Sequence, residues 1–193
     1  MQVAWIGVAL LAGGCLFRNI VEPRYFRPES LALDGAEAAP HEPDGAASPV
    51  CPRPVQGTSL LRERIVWRAS AVEYGRYAER RWTELPATLV QRALQNMLRR
   101  TPGLHLTDAP GSPTLRVVVV SFDEILAPSH DASVSLAVSL GDREQRPLLD
   151  RTFSALEPIA GGAPAETATA MGKALDDVVG EVARAVGDAL QAR

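Results

Sequence analysis

Cys15 is the residue whose neighbours most clearly prescribe chemistry. It follows a short apolar run, Val3 to Leu11, and the small residues Ala12-Gly13-Gly14. Such a segment is too short for a comfortable membrane span and reads as a secretory signal. With a cysteine directly after the small residues, Leu11-Ala12-Gly13-Gly14-Cys15 reads as a lipobox, in which the thiol is lipidated and becomes the first mature residue. The expected division is a signal peptide over 1–14 and a mature chain tethered to a bacterial cell envelope through Cys15. Met1-Gln2 puts no Lys or Arg ahead of the run, and Ala12 stands where Leu is commoner. A start other than Met1 would explain the missing charge; a plain cleaved signal and an uncleaved anchor are the alternatives. Leu16 rather than Asp follows the cysteine, which points to the outer membrane.

Other reactive residues are sparse. Ser129-His130-Asp131 has the residue types of a hydrolase, but adjacency in sequence is not triad geometry. A polar loop between two strands accounts for the trio better. His41, His105 and His130 sit in loop-like contexts, none at a metal-ligand spacing. Gly161-Gly162 before the last helix is a weak phosphate signal, because a flexible connection looks the same. No catalytic residue, metal or cofactor is therefore expected, and the chain reads as not an enzyme. If Cys15 carries lipid, Cys51 lacks an intramolecular partner. It reads as an unpaired thiol in a Pro-rich loop, with an intermolecular bridge as the alternative.

The unusual patch is rich in arginine. Residues 61–100 hold nine Arg against four Glu. Leu61, Ile65, Trp67 and Ala69 alternate with Arg62, Arg64, Val66 and Arg68, which predicts a half-buried strand with an Arg face. The next extended segment, Glu73 to Trp82, carries Tyr74, Tyr77, Arg80 and Arg81. Gly75 there would permit a bulge or a close backbone approach. Trp67 and Trp82 are expected to be structural. Arg with Tyr and Trp is the composition of interface hot spots, so Arg62, Arg64, Arg68, Tyr74, Tyr77, Arg80 and Arg81 form the expected partner-binding set. A solvated strand face with cross-strand Glu pairs is the plain alternative. The net charge of −3 and a pI near 5.7 give no global basic signature for nucleic acid.

The elements that must position this patch follow from periodicity. A strand is expected near 24–33 around Tyr25-Phe26, and a flexible loop over 34–49, which is Ala, Pro, Gly and acid without a large apolar residue before Val50. Pro86 opens a helix whose stripe is Leu89, Val90, Ala93, Leu94, Met97 and Leu98, closed by Pro102-Gly103. Leu115 to Phe122, Ser133 to Leu140 and Leu148 to Leu156 read as three strands of an antiparallel meander. A last helix carries Met171, Leu175, Val178, Val179, Val182, Val186 and Leu190 on one side. The expectation is α+β: an antiparallel β-sheet with two amphipathic helices on one face, in the order strands, helix, three strands, helix. Residues 15–60 would form the lipidated segment, and 61–193 the main domain, completed by the strand near 24–33.

Arg64-Ile65-Val66-Trp67-Arg68, then Glu73-Tyr74-Gly75-Arg76-Tyr77, then Arg80-Arg81-Trp82-Thr83-Glu84-Leu85-Pro86 resemble the signature region of the ABC-type transport auxiliary lipoproteins of the PqiC/YmbA type. The lipobox, the Tyr25-Phe26 strand and the C-terminal amphipathic helix match in order, so the resemblance spans nearly the whole mature chain; the 34–49 stretch looks longer than usual. The resemblance implies a non-catalytic outer-membrane lipoprotein, facing the periplasm. It would act as adaptor to a lipid transport system of the mammalian-cell-entry (MCE) type. Its implied partners are an MCE-domain protein and an inner-membrane ABC permease, with a homo-oligomer left open and no nucleic acid. For the Arg-rich set the favoured counterpart is an acidic patch on the MCE protein, with anionic lipid headgroups second. A periplasmic lipid carrier, with a groove between helices and sheet, is the alternative function; an envelope hydrolase is a further one.

Overall fold

In the computed structural model, which describes residues 22–35 and 47–192, the longest strands come from the clearest alternation. β7 (Thr114–Ile125), β8 (Asp131–Gly141) and β9 (Pro147–Pro158) form an antiparallel meander. Leu115, Val117 and Val119 stand opposite Leu140, Val138 and Leu136, and all six are buried. Asp142 builds the β8–β9 turn: its carboxylate accepts the N–H groups of Glu144 and Arg146 at 2.9 and 2.8 Å, and Arg146 Nε at 2.9 Å.

The other edge of β7 corrects the expected sheet. Three strands pair with it in succession, all parallel: β2 (Ser48–Pro52), β3 (Gln56–Gly57) and β4 (Arg64–Arg68). β5 (Tyr74–Trp82) runs antiparallel to β4, and β1 (Arg24–Phe26) lies parallel on its outer side. β6 (Leu104–Leu106) is parallel to β2. The described residues thus form a mixed nine-stranded sheet with three helices, α1 (Leu31–Asp34), α2 (Pro86–Arg100) and α3 (Pro164–Gln191), not an antiparallel sheet with two. The α+β class stands. The physical reason lies between β4 and β7: β5 runs back antiparallel to β4, and α2 and β6 follow before β7 sets out from the end where β4 began, which makes β4 and β7 parallel.

Local assignments shift too. The segment near 24–33 is extended only to Phe26 and turns into α1 at Leu31. Ser48 and Pro49, placed in the loop, belong to β2, and so does Cys51, a free thiol buried in a strand rather than carried in a Pro-rich loop. Cys15, the lipobox and residues 36–46 lie outside the described residues.

α2 and α3 pack on each other and on one face of the meander. Leu89, Val90, Ala93, Leu94 and Leu98 are buried on α2, and Met171, Leu175, Val178, Val179, Val182 and Val186 on α3. Burying such side chains contributes about 1.5–3 kcal/mol each. Pro86 occupies the first turn of α2, and Arg99 and Arg100 its last turn, where cations meet the negative end of the helix dipole. Short α1 depends on α3 instead of itself. Asp176 of α3 accepts hydrogen bonds from Ser30 Oγ (2.6 Å), Leu31 N (2.8 Å) and Ala32 N (2.9 Å). Gly172 lets the Glu29 backbone touch α3, since a Cβ there would fall 1.8 Å from the Glu29 carbonyl oxygen.

Candidate docking surface

The β4–β5 hairpin carries the Arg-rich segment, and its geometry splits that segment three ways. Ile65 and Val66 are both buried, so the middle of β4 is covered on both faces and the Arg face expected there is interrupted. Trp67 is only half-buried; its ring lies over Gly75, where a Cβ would come within 2.1 Å of it. Trp82 is the structural tryptophan: it is buried and meets Phe122 edge-to-face, centroids 5.4 Å apart.

Two acids on β7, Asp123 and Glu124, organise the first two parts. Adjacent residues of a strand project to opposite faces, and both acids are buried. On the face shared with Val66, Arg68 Nε lies 3.0 Å from the Asp123 carboxylate, with the Arg68 guanidinium over the Tyr74 ring at 5.8 Å. Burial pushes the Asp123 carboxyl above its ordinary range, and Arg68 pulls it partly back. On the other face, Glu124 receives His130 Nε2 at 2.7 Å and Arg80 at 3.8 Å, and Arg80 in turn covers the Tyr77 ring at 4.1 Å. Burial and then the Glu124 charge raise the Tyr77 phenol, with Arg80 opposing. Arg68, Arg80 and Tyr77 are thus engaged within the molecule, whereas Tyr74 offers its ring to Arg68 and stays 46% exposed.

The third part remains outside. Tyr25, Arg81 and Arg64 occupy one row across β1, β5 and β4 and so share a face. Arg62, Arg64, Arg76 and Arg81 line a groove of about 400 Å³, together with Glu63 and Leu85. Arg81 pairs with Glu63 at 3.3 Å. Arg62, Arg64 and Arg76 are exposed and, among the described residues, enter no ion pair. This arrangement attracts anions through guanidinium forks, and its one carboxylate, Glu63, is paired with Arg81. Sequence reasoning missed Asp123 and Glu124. Their signal was two consecutive ionisable residues inside an apolar strand, with an Arg-rich hairpin free to neutralise them.

The Ser129-His130-Asp131 trio does not form a relay. His130 turns to Glu124, and Ser129 Oγ donates to Asp131 instead of meeting the imidazole. Hydrolytic geometry, in which serine donates to histidine, is therefore not assembled.

The mixed sheet of nine strands among the described residues, with helices on one face, belongs to a fold already seen in bacterial proteins. Protein XCC0632 from Xanthomonas campestris shares it at a TM-score of 0.74 and 17% identity, over 88% of this chain and 98% of that one. The hypothetical protein CT253 from Chlamydia trachomatis shares it at 0.57 and 13%, over 77% and 100%. At such identities the likeness shows the fold alone. Among curated proteins none matches this chain. Residues 37–183 match the model of the ABC-type transport auxiliary lipoprotein component family, and the chain belongs to that family. It is accordingly an auxiliary component of an ABC-type transport system and an envelope lipoprotein.

Proposed function

We propose that the chain is a non-catalytic adaptor of an MCE-type ABC lipid transport system, held at the outer membrane through acyl chains on Cys15 and facing the periplasm. Its partners on this reading are an MCE-domain protein and the inner-membrane permease, and the exposed Arg62, Arg64, Arg76 and Arg81 meet an anionic counterpart. The observation that carries the choice is the packed helix–sheet interface. The stripes of α2 and α3 are closed against the meander, whereas a lipid carrier of the expected kind needs an open groove between them. Two grooves lie elsewhere, beside β9 and beside the Arg-rich hairpin, and the groove of about 250 Å³ where α3 meets β9 is lined by Arg151, Glu181, Arg184 and Asp188 with Phe153 and Ala185, a charged lining rather than one for an acyl chain.

Metabolic labelling with an alkyne fatty acid, followed by density-gradient separation of the membranes, tests the anchor. The label should follow the outer membrane and vanish in Cys15→Ser. Label that persists in Cys15→Ser sinks the lipidation, and label confined to the inner membrane sinks the location.

A further inference from the structure

We infer that the basic groove binds anionic phospholipid headgroups of the very membrane that carries the Cys15 anchor, so that the body rests on the bilayer by its β1–β5–β4 edge. The inference deepens the adaptor reading and rests on its lipidated Cys15. Chain length is the first support. Residues 16–23 separate Cys15 from Arg24, and nine peptide steps reach at most about 30 Å when fully extended. β1 therefore cannot leave the neighbourhood of the headgroups, and β1 is the strand beside β5. A short tether of this kind keeps the groove at a high effective concentration of lipid.

Charge is the second support. Four guanidiniums line the groove against one carboxylate, Glu63, and the forked geometry of Arg matches phosphate oxygens. The rim is suited to the same place. Tyr25 is 57% exposed and Leu85 40%; Tyr side chains favour the water–lipid boundary because one end is apolar and the other wet. An acyl anchor combined with a cationic patch is a two-signal attachment. Arg24, beside Arg80 on the other face of the sheet, and Arg27, paired with Asp34 at 2.6 Å, add little to the groove's own charge. An acidic segment of a partner would also fit the charge, but it would have to compete with headgroups that a tether of at most about 30 Å keeps close.

The test removes the anchor and reads the groove. Full-length chain carrying Cys15→Ser is mixed with vesicles of phosphatidylglycerol in phosphatidylcholine, or of phosphatidylcholine alone, and sedimented. The same is done with Arg62→Glu, Arg64→Glu and Arg76→Glu added; both forms keep the same N-terminal apolar run, so any difference reports the groove. Phosphatidylglycerol vesicles should bind the parent in a salt-sensitive way, and the triple reversal should weaken that binding at least tenfold. In parallel, the lipidated parent and its triple reversal are purified from detergent-solubilised membranes, and the MCE-domain protein recovered with each is quantified. Vesicle binding lost with partner recovery unchanged supports the inference. Vesicle binding unchanged overturns it: if partner recovery falls, the groove belongs to a protein and the adaptor reading survives, and if recovery is also unchanged, the groove is a solvated face. Absence of the partner from every preparation counts against the adaptor reading alone, since vesicle binding is read separately.

Discussion

At the scale of single residues, the decisive feature is a pair of buried acids that recruit arginines from a neighbouring hairpin. Removing one partner of a buried pair leaves an uncompensated charge, whereas replacing both with apolar groups can be nearly neutral. Arg68→Met should therefore destabilise the fold by about 3 kcal/mol or more, and Arg68→Met with Asp123→Leu should recover most of that loss. Urea denaturation measures both; a double variant no better than the single would show that the pair holds nothing. Asp123 also sets a pH dependence. Its folded pKa is raised, so the folded chain keeps this proton to higher pH than the unfolded chain does. The resulting stabilisation is complete below the unfolded value, about 3.9, and is lost as pH rises through the folded value. Stability compared between about pH 4 and neutrality should thus move in favour of Asp123→Asn over the parent. Movement the other way would mean that Arg68 outweighs burial. Arg68 and Arg80 were legible as members of an Arg-rich hairpin, but not as internal partners. The acids that claim them lie more than 40 residues away, and pairing across that distance depends on a parallel register that alternation does not specify.

At the scale of elements, long periodic segments were legible and short ones were not. α2, α3 and the meander could be read because many alternating side chains agree on one face. β1, β2, β3 and β6 contain two to five residues each, too few for a period, and they form because β5 and β7 offer free edges. α1 is the extreme case: its four residues are capped by Asp176 from a helix that begins over 100 residues later. Gly172 is where that latch is most sensitive. In Gly172→Ala the new methyl would overlap the Glu29 carbonyl, and in Asp176→Ala three hydrogen bonds disappear. Either change should speed amide exchange across residues 24–35 while the central turns of α3 stay protected. Hydrogen exchange read by mass spectrometry distinguishes this from general unfolding, in which α3 would lose protection equally. Trp82 is a second element-level anchor, since it joins β5 to Phe122 of β7. Trp82→Ala should cost about 3–5 kcal/mol, and Trp67→Ala distinctly less because Trp67 is only partly buried; equal costs in thermal denaturation would contradict this ranking.

At the scale of the whole molecule, the sheet is closed on one side by helices and carries its unpaired cations at the edge next to the N-terminal strand. Among the described residues, that plan leaves a cationic surface beside the strand nearest the N-terminus. The class α+β and the family signature were readable from the chain. The mixed topology was not, because the passage through β5, α2 and β6 leaves no mark on the periodicity of β4 and β7. The adaptor role depends on physical association with a transport system, and that association is directly measurable. Lipidated full-length chain, affinity-purified from gently solubilised envelopes and quantified by mass spectrometry, should retain an MCE-domain protein and an ABC permease at levels well above those in a purification of an unrelated lipoprotein. Recovery of neither component above that control, with the chain folded and lipidated, would contradict the adaptor function.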